Sequence, residues 1–137
     1  MKKIIAPVLM AVTVFALFLN PDLANAQTKK SKKMEKKKIL FVVSSHDKKG
    51  NTGEPTGYYL GEVTHAWEAL KDHYTIDFVS PKGGTPPVDG FDLNDPINKQ
   101  FWEDAVYHNK INNSMKPSEV NPKDYVAIYY AGGHGAM

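Results

Sequence analysis

The 137 residues carry a formal net charge of +2, with 42% hydrophobic residues, no Cys and no Arg. Without Cys the sequence supports neither a disulfide nor thiolate chemistry of its own. Without Arg it lacks the bidentate donor on which base readout leans, which counts against a nucleic-acid reader.

At the start, Lys2 and Lys3 precede an apolar run from Ile4 to Leu19, and Ala24-Asn25-Ala26 supplies the small-x-small pattern that signal peptidase cuts after. The run is shorter than the roughly 20 apolar residues a membrane span needs, and Pro7, Asn20 and Pro21 interrupt or close it. Residues 1–26 are therefore expected to be a secretory signal peptide, leaving a periplasmic or secreted protein that is not membrane-anchored after cleavage. The lack of Cys before the cleavage site excludes a lipid anchor. Residues 27–38 form a Lys-rich linker, since Lys29 to Lys38 holds seven Lys and one acid, Glu35. From Ile39 onward eight Lys face thirteen Asp and Glu, a net of −5. Clustered Lys can attract phosphates, but a solvated tether ahead of an acidic body is the reading adopted, with no nucleic-acid partner.

The body opens on Ile39-Leu40-Phe41-Val42-Val43, a continuous apolar run that suits a parallel strand covered on both faces. After a Gly/Asn/Pro-rich loop from His46 to Pro55, Leu60, Val63, Trp67 and Leu70 recur at helical spacing. They predict a helix from Gly57 to Asp72 with Thr56 as its N-cap. Tyr74 to Ser80 reads as a second strand, and Pro81 to Asn94, with three Pro and three Gly, as an ordered surface loop. Asp95-Pro96 is an N-cap and first-turn Pro opening a helix to about Asn109, with Ile97, Phe101 and Ala105 on one face, widened by Trp102 and Val106. A turn around Glu119 and Val120 leads to a third strand, Tyr125 to Tyr130. Strands alternating with helices predict an α/β fold with a doubly wound, mostly parallel sheet. The third strand, as apolar as the first, is expected to expose an unpaired edge and one apolar face.

Ligands of such sheets sit beyond the carboxyl ends of the strands. Ser44-Ser45-His46-Asp47 lies there and holds the residue types of a hydrolytic triad, but consecutive side chains diverge, so it is read as a turn. Glu62 sits early in the first helix, on the flank of its buried stripe, where partial desolvation would suit a carboxylate to proton shuttling. With His65 at i+3 it also matches a two-ligand metal spacing, while an ordinary exposed Glu–His contact explains the spacing equally. Gly132-Gly133-His134-Gly135 has neither the Lys of a phosphate loop nor dinucleotide spacing. It fits a turn whose backbone N–H groups stabilise an oxyanion, or a plain strand exit.

Four stretches, KILFVVSS, TGYYLGEVTHAW, DFVSPKGGTPPVD and EVNPKDYVAIYYAGGHGAM, occur in an order and at separations that resemble the PfpI-type branch of the class I glutamine amidotransferase-like superfamily, closest to its heat-shock chaperone and glyoxalase III group. The resemblance implies a flavodoxin-like sandwich over 39–137, truncated after the third main strand. It implies a Cys nucleophile on a strand-to-helix turn that this sequence does not reach. It assigns Glu62 as general acid/base and the backbone of Gly133 as oxyanion support, with no cofactor, and it leaves His134 outside the catalytic set. Relatives convert methylglyoxal to lactate without glutathione, remove early glycation adducts or hold unfolded proteins, and many are homodimers. The chain is thus expected to be an N-terminal part of such an enzyme, inactive alone. Without the resemblance, it fits a secreted, non-catalytic module binding a metal through Glu62, His65 or His134, or a protein-interaction module.

Overall fold

A computed structural model describes residues 35–134. The signal peptide expected over 1–26 and most of the Lys-rich linker lie outside the described residues, as do the last three positions. Among the described residues no helix is long and apolar enough to cross a membrane.

The central strand is β1 (Lys38–Val42), flanked in parallel by β3 (Thr75–Val79) and β5 (Tyr125–Tyr130), giving the order β3-β1-β5. Its apolar run is continuous because both of its faces and both of its edges are occupied: Ile39, Leu40 and Phe41 are all buried. Register places Phe41 opposite Phe78 on one side and Tyr129 on the other, so one face carries a row of aromatic rings. Phe41 meets Phe78 edge-on at 5.7 Å and Tyr129 at 4.8 Å between centroids. Three helices cover this face: α1 (Leu60–Leu70), α2 (Pro96–Glu103) and α3 (Ala105–Asn112). Trp67 of α1 joins them, packing edge-on against Phe101 at 5.2 Å and Tyr107 at 5.5 Å.

Two helix boundaries differ from those the periodicity predicts. Thr56 does not cap α1. Tyr58–Tyr59 form a short strand, β2, paired in parallel with β4 (Val88–Asp89) inside the Pro-rich loop, and the helix starts only at Leu60. The Thr56 hydroxyl instead donates to Asp89. The second predicted helix breaks at Asp104, whose backbone is extended and whose carboxylate accepts from the N–H groups of Val106 and Tyr107. Side-chain capping competes with helix continuation at Asp, and the break turns Ala105 and Val106 outward, Val106 being 63% exposed. Tyr107 and Ile111 take up the inward face in their place. Asp95 and Pro96 do open α2 as expected, with Asp95 accepting from Ile97 and Asn98.

The other face of the sheet is built from Leu40, Val42, Val79, Val126, Ile128 and Tyr130. It meets the segment between α3 and β5, which bridges Val79 through Met115 and then forms two 3-10 turns, Pro117–Glu119 and Pro122–Asp124. Pro117, Val120 and Pro122 share a groove with Leu40 and Ile128. Beyond them Val126, Ile128 and Tyr130 stay 55%, 52% and 72% exposed, the uncovered apolar face expected of the third strand. All three helices lie on one face, so the described residues form an α/β fold of two small parallel sheets and three helices. They do not complete the two-sided winding expected of them.

Candidate functional site

Glu62 lies in the first turn of α1, which Leu60, Val63 and Trp67, all buried, hold against the sheet. That anchoring carries its carboxylate to the carboxyl end of β5. There the chain leaves the sheet at Ala131, whose N–H donates to Val42, and turns through Gly132 and Gly133. Glu62 Oε2 accepts a 2.5 Å hydrogen bond from the Gly132 N–H. A Cβ on Gly132 would sit 2.5 Å from the same oxygen, so a side chain there would push the Glu62 carboxylate off this contact. Gly133 adopts φ +126°, and a Cβ there would lie 2.4 Å from the Gly57 carbonyl oxygen. β5 holds Glu62 at a second point, because the Tyr129 hydroxyl donates to the Glu62 carbonyl at 3.1 Å. Burial, reinforced by the nearby Glu62 charge, pushes the Tyr129 phenol up from its ordinary pKa and keeps it a donor.

Glu62 opens onto a cleft of about 630 Å³, lined also by Tyr59, His65, Asp92, Asp95 and Tyr129. Among the described residues its charged lining is carboxylate, with no Lys. His65 does not join Glu62 as a ligand pair: its Nε2 bonds Asp95 Oδ2 at 2.8 Å, while the Glu62 carboxylate is engaged by Gly132. The bond from His65 is the main cause holding Asp95 below the usual carboxylate range, with the α2 backbone N–H groups adding to it. Among the described residues no group of three or more His, Cys, Asp or Glu is placed to hold a metal ion.

The remaining sequence candidates separate. Ser44-Ser45-His46-Asp47 is a turn in which the His46 N–H donates to Ser44 Oγ and the Lys82 N–H to Ser45 Oγ. His134 pairs through Nδ1 with Asp89 Oδ2 at 3.2 Å. The expected oxyanion residue, Gly133, directly follows the N–H that Glu62 binds; the contact itself falls one residue earlier. Asp89, Asp95 and Tyr129 were not legible as site residues. Asp89 had one usable signal, its place in Val88-Asp89-Gly90 within the Pro-rich loop, where a short strand can hide.

The described residues thus hold a parallel α/β sheet with an acid on the first helix against a glycine turn after the third main strand, the arrangement that the resemblance to the class I glutamine amidotransferase-like superfamily implies. No family model matches the chain. Two proteins of Saccharomyces cerevisiae, each described as a probable glutathione-independent glyoxalase, are 24% identical over 109 residues, covering 74% of this chain and 46% of theirs. The crystal structure of the Rapid Encystment Protein of Francisella tularensis is similar at 40% identity and a TM-score of 0.68, covering 74% of this chain and 46% of that one. Glyoxalase III of Candida albicans superposes with a TM-score of 0.61 at 24% identity, over 72% of this chain and 44% of that one, and shows the shared fold. The chain resembles the PfpI-type, glyoxalase III branch of the superfamily and spans just under half the length of these relatives.

Proposed function

We propose that this chain supplies the acid/base half of a glutathione-independent glyoxalase site acting on small reactive carbonyls such as methylglyoxal. The observation that carries this reading is the Glu62 Oε2 contact with the Gly132 N–H at the mouth of an open cleft. Attachment of Glu62 to α1, and of its main-chain carbonyl to the Tyr129 hydroxyl of β5, fixes where that base sits.

The 137 residues contain no Cys, so the nucleophile comes from sequence outside them. In the chemistry proposed, a thiolate adds to the aldehyde carbon of methylglyoxal to give a thiohemiacetal. Glu62 takes the proton from that carbon and returns it to the neighbouring one through an enediolate. Water then cleaves the resulting thioester, releasing lactate and the thiol. The backbone of Gly133 steadies the developing oxyanion. Atoms balance as methylglyoxal plus water going to lactate, with no external redox partner. The wider domain would then be a flavodoxin-like sandwich whose remaining layers cover the second sheet face, working as an exported, homodimeric enzyme.

The test is lactate formation from methylglyoxal, without glutathione, by the protein at its native length. Glu62→Gln should lower kcat by roughly 10²-fold or more, the scale of general acid–base catalysis. Equal turnover by the variant would remove Glu62 from the mechanism. A second reading, an interaction module that holds unfolded protein, draws on the exposed stripe of Val126, Ile128 and Tyr130. It predicts that the chain suppresses light scattering by a denatured client, and no suppression would eliminate it.

A further inference from the structure

We propose that Asp89 is a positioning residue: by gripping the His134 ring across β2, it fixes the Gly132–Gly133 turn so that the Gly132 N–H meets the Glu62 carboxylate. The turn's two glycines carry no side chains and have wide conformational freedom; among the described residues they rest against Gly57 to Tyr59, with the Tyr59 N–H donating to the Gly132 carbonyl at 3.1 Å. Glu62 restrains the near end of the turn, and His134 is the first side chain at its far end.

Asp89 is built to anchor that end. It stands in β4, paired with Tyr58–Tyr59 of β2, the strand against which Gly132 and Gly133 rest. Its Oδ2 accepts from the Thr56 hydroxyl at 2.8 Å, and Thr56 is itself buried. Its Oδ1 accepts from the Gly90 N–H at 2.8 Å. With both oxygens occupied, the carboxylate has a fixed direction, and the bond to His134 Nδ1 at 3.2 Å inherits it. A carboxylate only accepts, so His134 donates to it from Nδ1. Two carboxylates from different elements, Glu62 on α1 and Asp89 on β4, therefore clamp one glycine turn from its two ends.

The experiment reads the turn itself, so its outcome is independent of whether the protein acts on methylglyoxal. Hydrogen exchange of the Gly132 amide and the ¹⁵N tautomer signature of His134 are measured in the full chain. Asp89→Ala and His134→Ala should each speed Gly132 exchange by about tenfold, the scale on which a charge-assisted hydrogen bond acts, with Glu62→Ala as the positive control. Asp89→Asn, which still offers an oxygen to Nδ1–H, should retain most of the protection. In Asp89→Ala the His134 proton should move from Nδ1 to Nε2. Should Asp89→Ala fail to fold, His134→Ala decides alone, since that half-exposed ring holds up no core. Unchanged Gly132 exchange in His134→Ala overturns the proposal.

Discussion

The two faces of the β3-β1-β5 sheet both carry apolar side chains and meet opposite fates. Ile39, Phe41, Val43, Ile76 and Phe78 lie under three helices and are buried. On the other face Leu40 and Val79 are buried, but Val126, Ile128 and Tyr130 at the β5 edge are half or more exposed. Alternation along a strand decides which face a side chain joins, and the connections decide whether that face is covered. The covered face is where precision is built: the same helix that buries Trp67 carries Glu62 to the glycine turn.

The largest effect should come from emptying the covered face. Phe41→Ala removes a ring wedged between Phe78 and Tyr129 and should cost about 3–5 kcal/mol in urea unfolding, the usual range for a buried Phe. A loss below about 1 kcal/mol would erase the distinction between the faces. Gly133→Ala comes next. Its φ of +126° and the 2.4 Å approach to the Gly57 carbonyl should make the substitution cost more than about 1 kcal/mol and displace the turn from Glu62. A fully stable variant with an unchanged Gly132 amide signal would contradict this.

A smaller, pH-dependent contribution comes from the rim where the open face begins. Burial by itself would raise the Asp77 carboxyl, but Lys110 and Lys38 outweigh it and hold the pKa below its ordinary 3.8. A depressed carboxyl contributes stability that is present above its unfolded pKa and lost as pH falls through its folded one. Tm should therefore drop with acid below about pH 4, and Asp77→Asn should flatten that drop. Tyr125, whose hydroxyl donates to Asp77 at 3.2 Å, is pushed up to about 12, chiefly by burial and then by the Asp77 charge. Its contribution has the opposite sign, complete below pH 10 and lost as pH rises towards 12. An acid limb of equal slope in Asp77→Asn would dismiss the ion pairs. The smallest effect belongs to the open face. Val126→Thr should change stability by within about 0.5 kcal/mol while lowering aggregation, as surface substitutions do. A core-sized loss would mean that the face is covered in solution.

The sequence made the strands plain wherever their signals were local. β1 and β5 announce themselves as unbroken apolar runs, and Asp95-Pro96 marks the start of α2 with two adjacent residues. What stayed hidden depends on distant partners. β2 and β4 are two residues each and exist by pairing with one another, so no periodicity could reveal them. The break at Asp104 was masked because Phe101, Ala105 and Val106 keep helical spacing across it. Glu62 stood out through its place on the helix and through resemblance. Its supports did not, because Gly132 lies 70 residues away in the chain and Tyr129 lies 67 away. The Asp89–His134 contact spans 45 residues and leaves no trace in local pattern.

The claim that Glu62 belongs to half of a thiol-dependent site is tested most directly by assaying the purified 137-residue chain, free of other proteins and of glutathione, for methylglyoxal consumption and lactate release. The account predicts no rate above buffer, because the chain holds the acid/base residue and no Cys. Sustained turnover by this chain, abolished by Glu62→Gln, would contradict it and show that Glu62 and its cleft perform the reaction without a thiol.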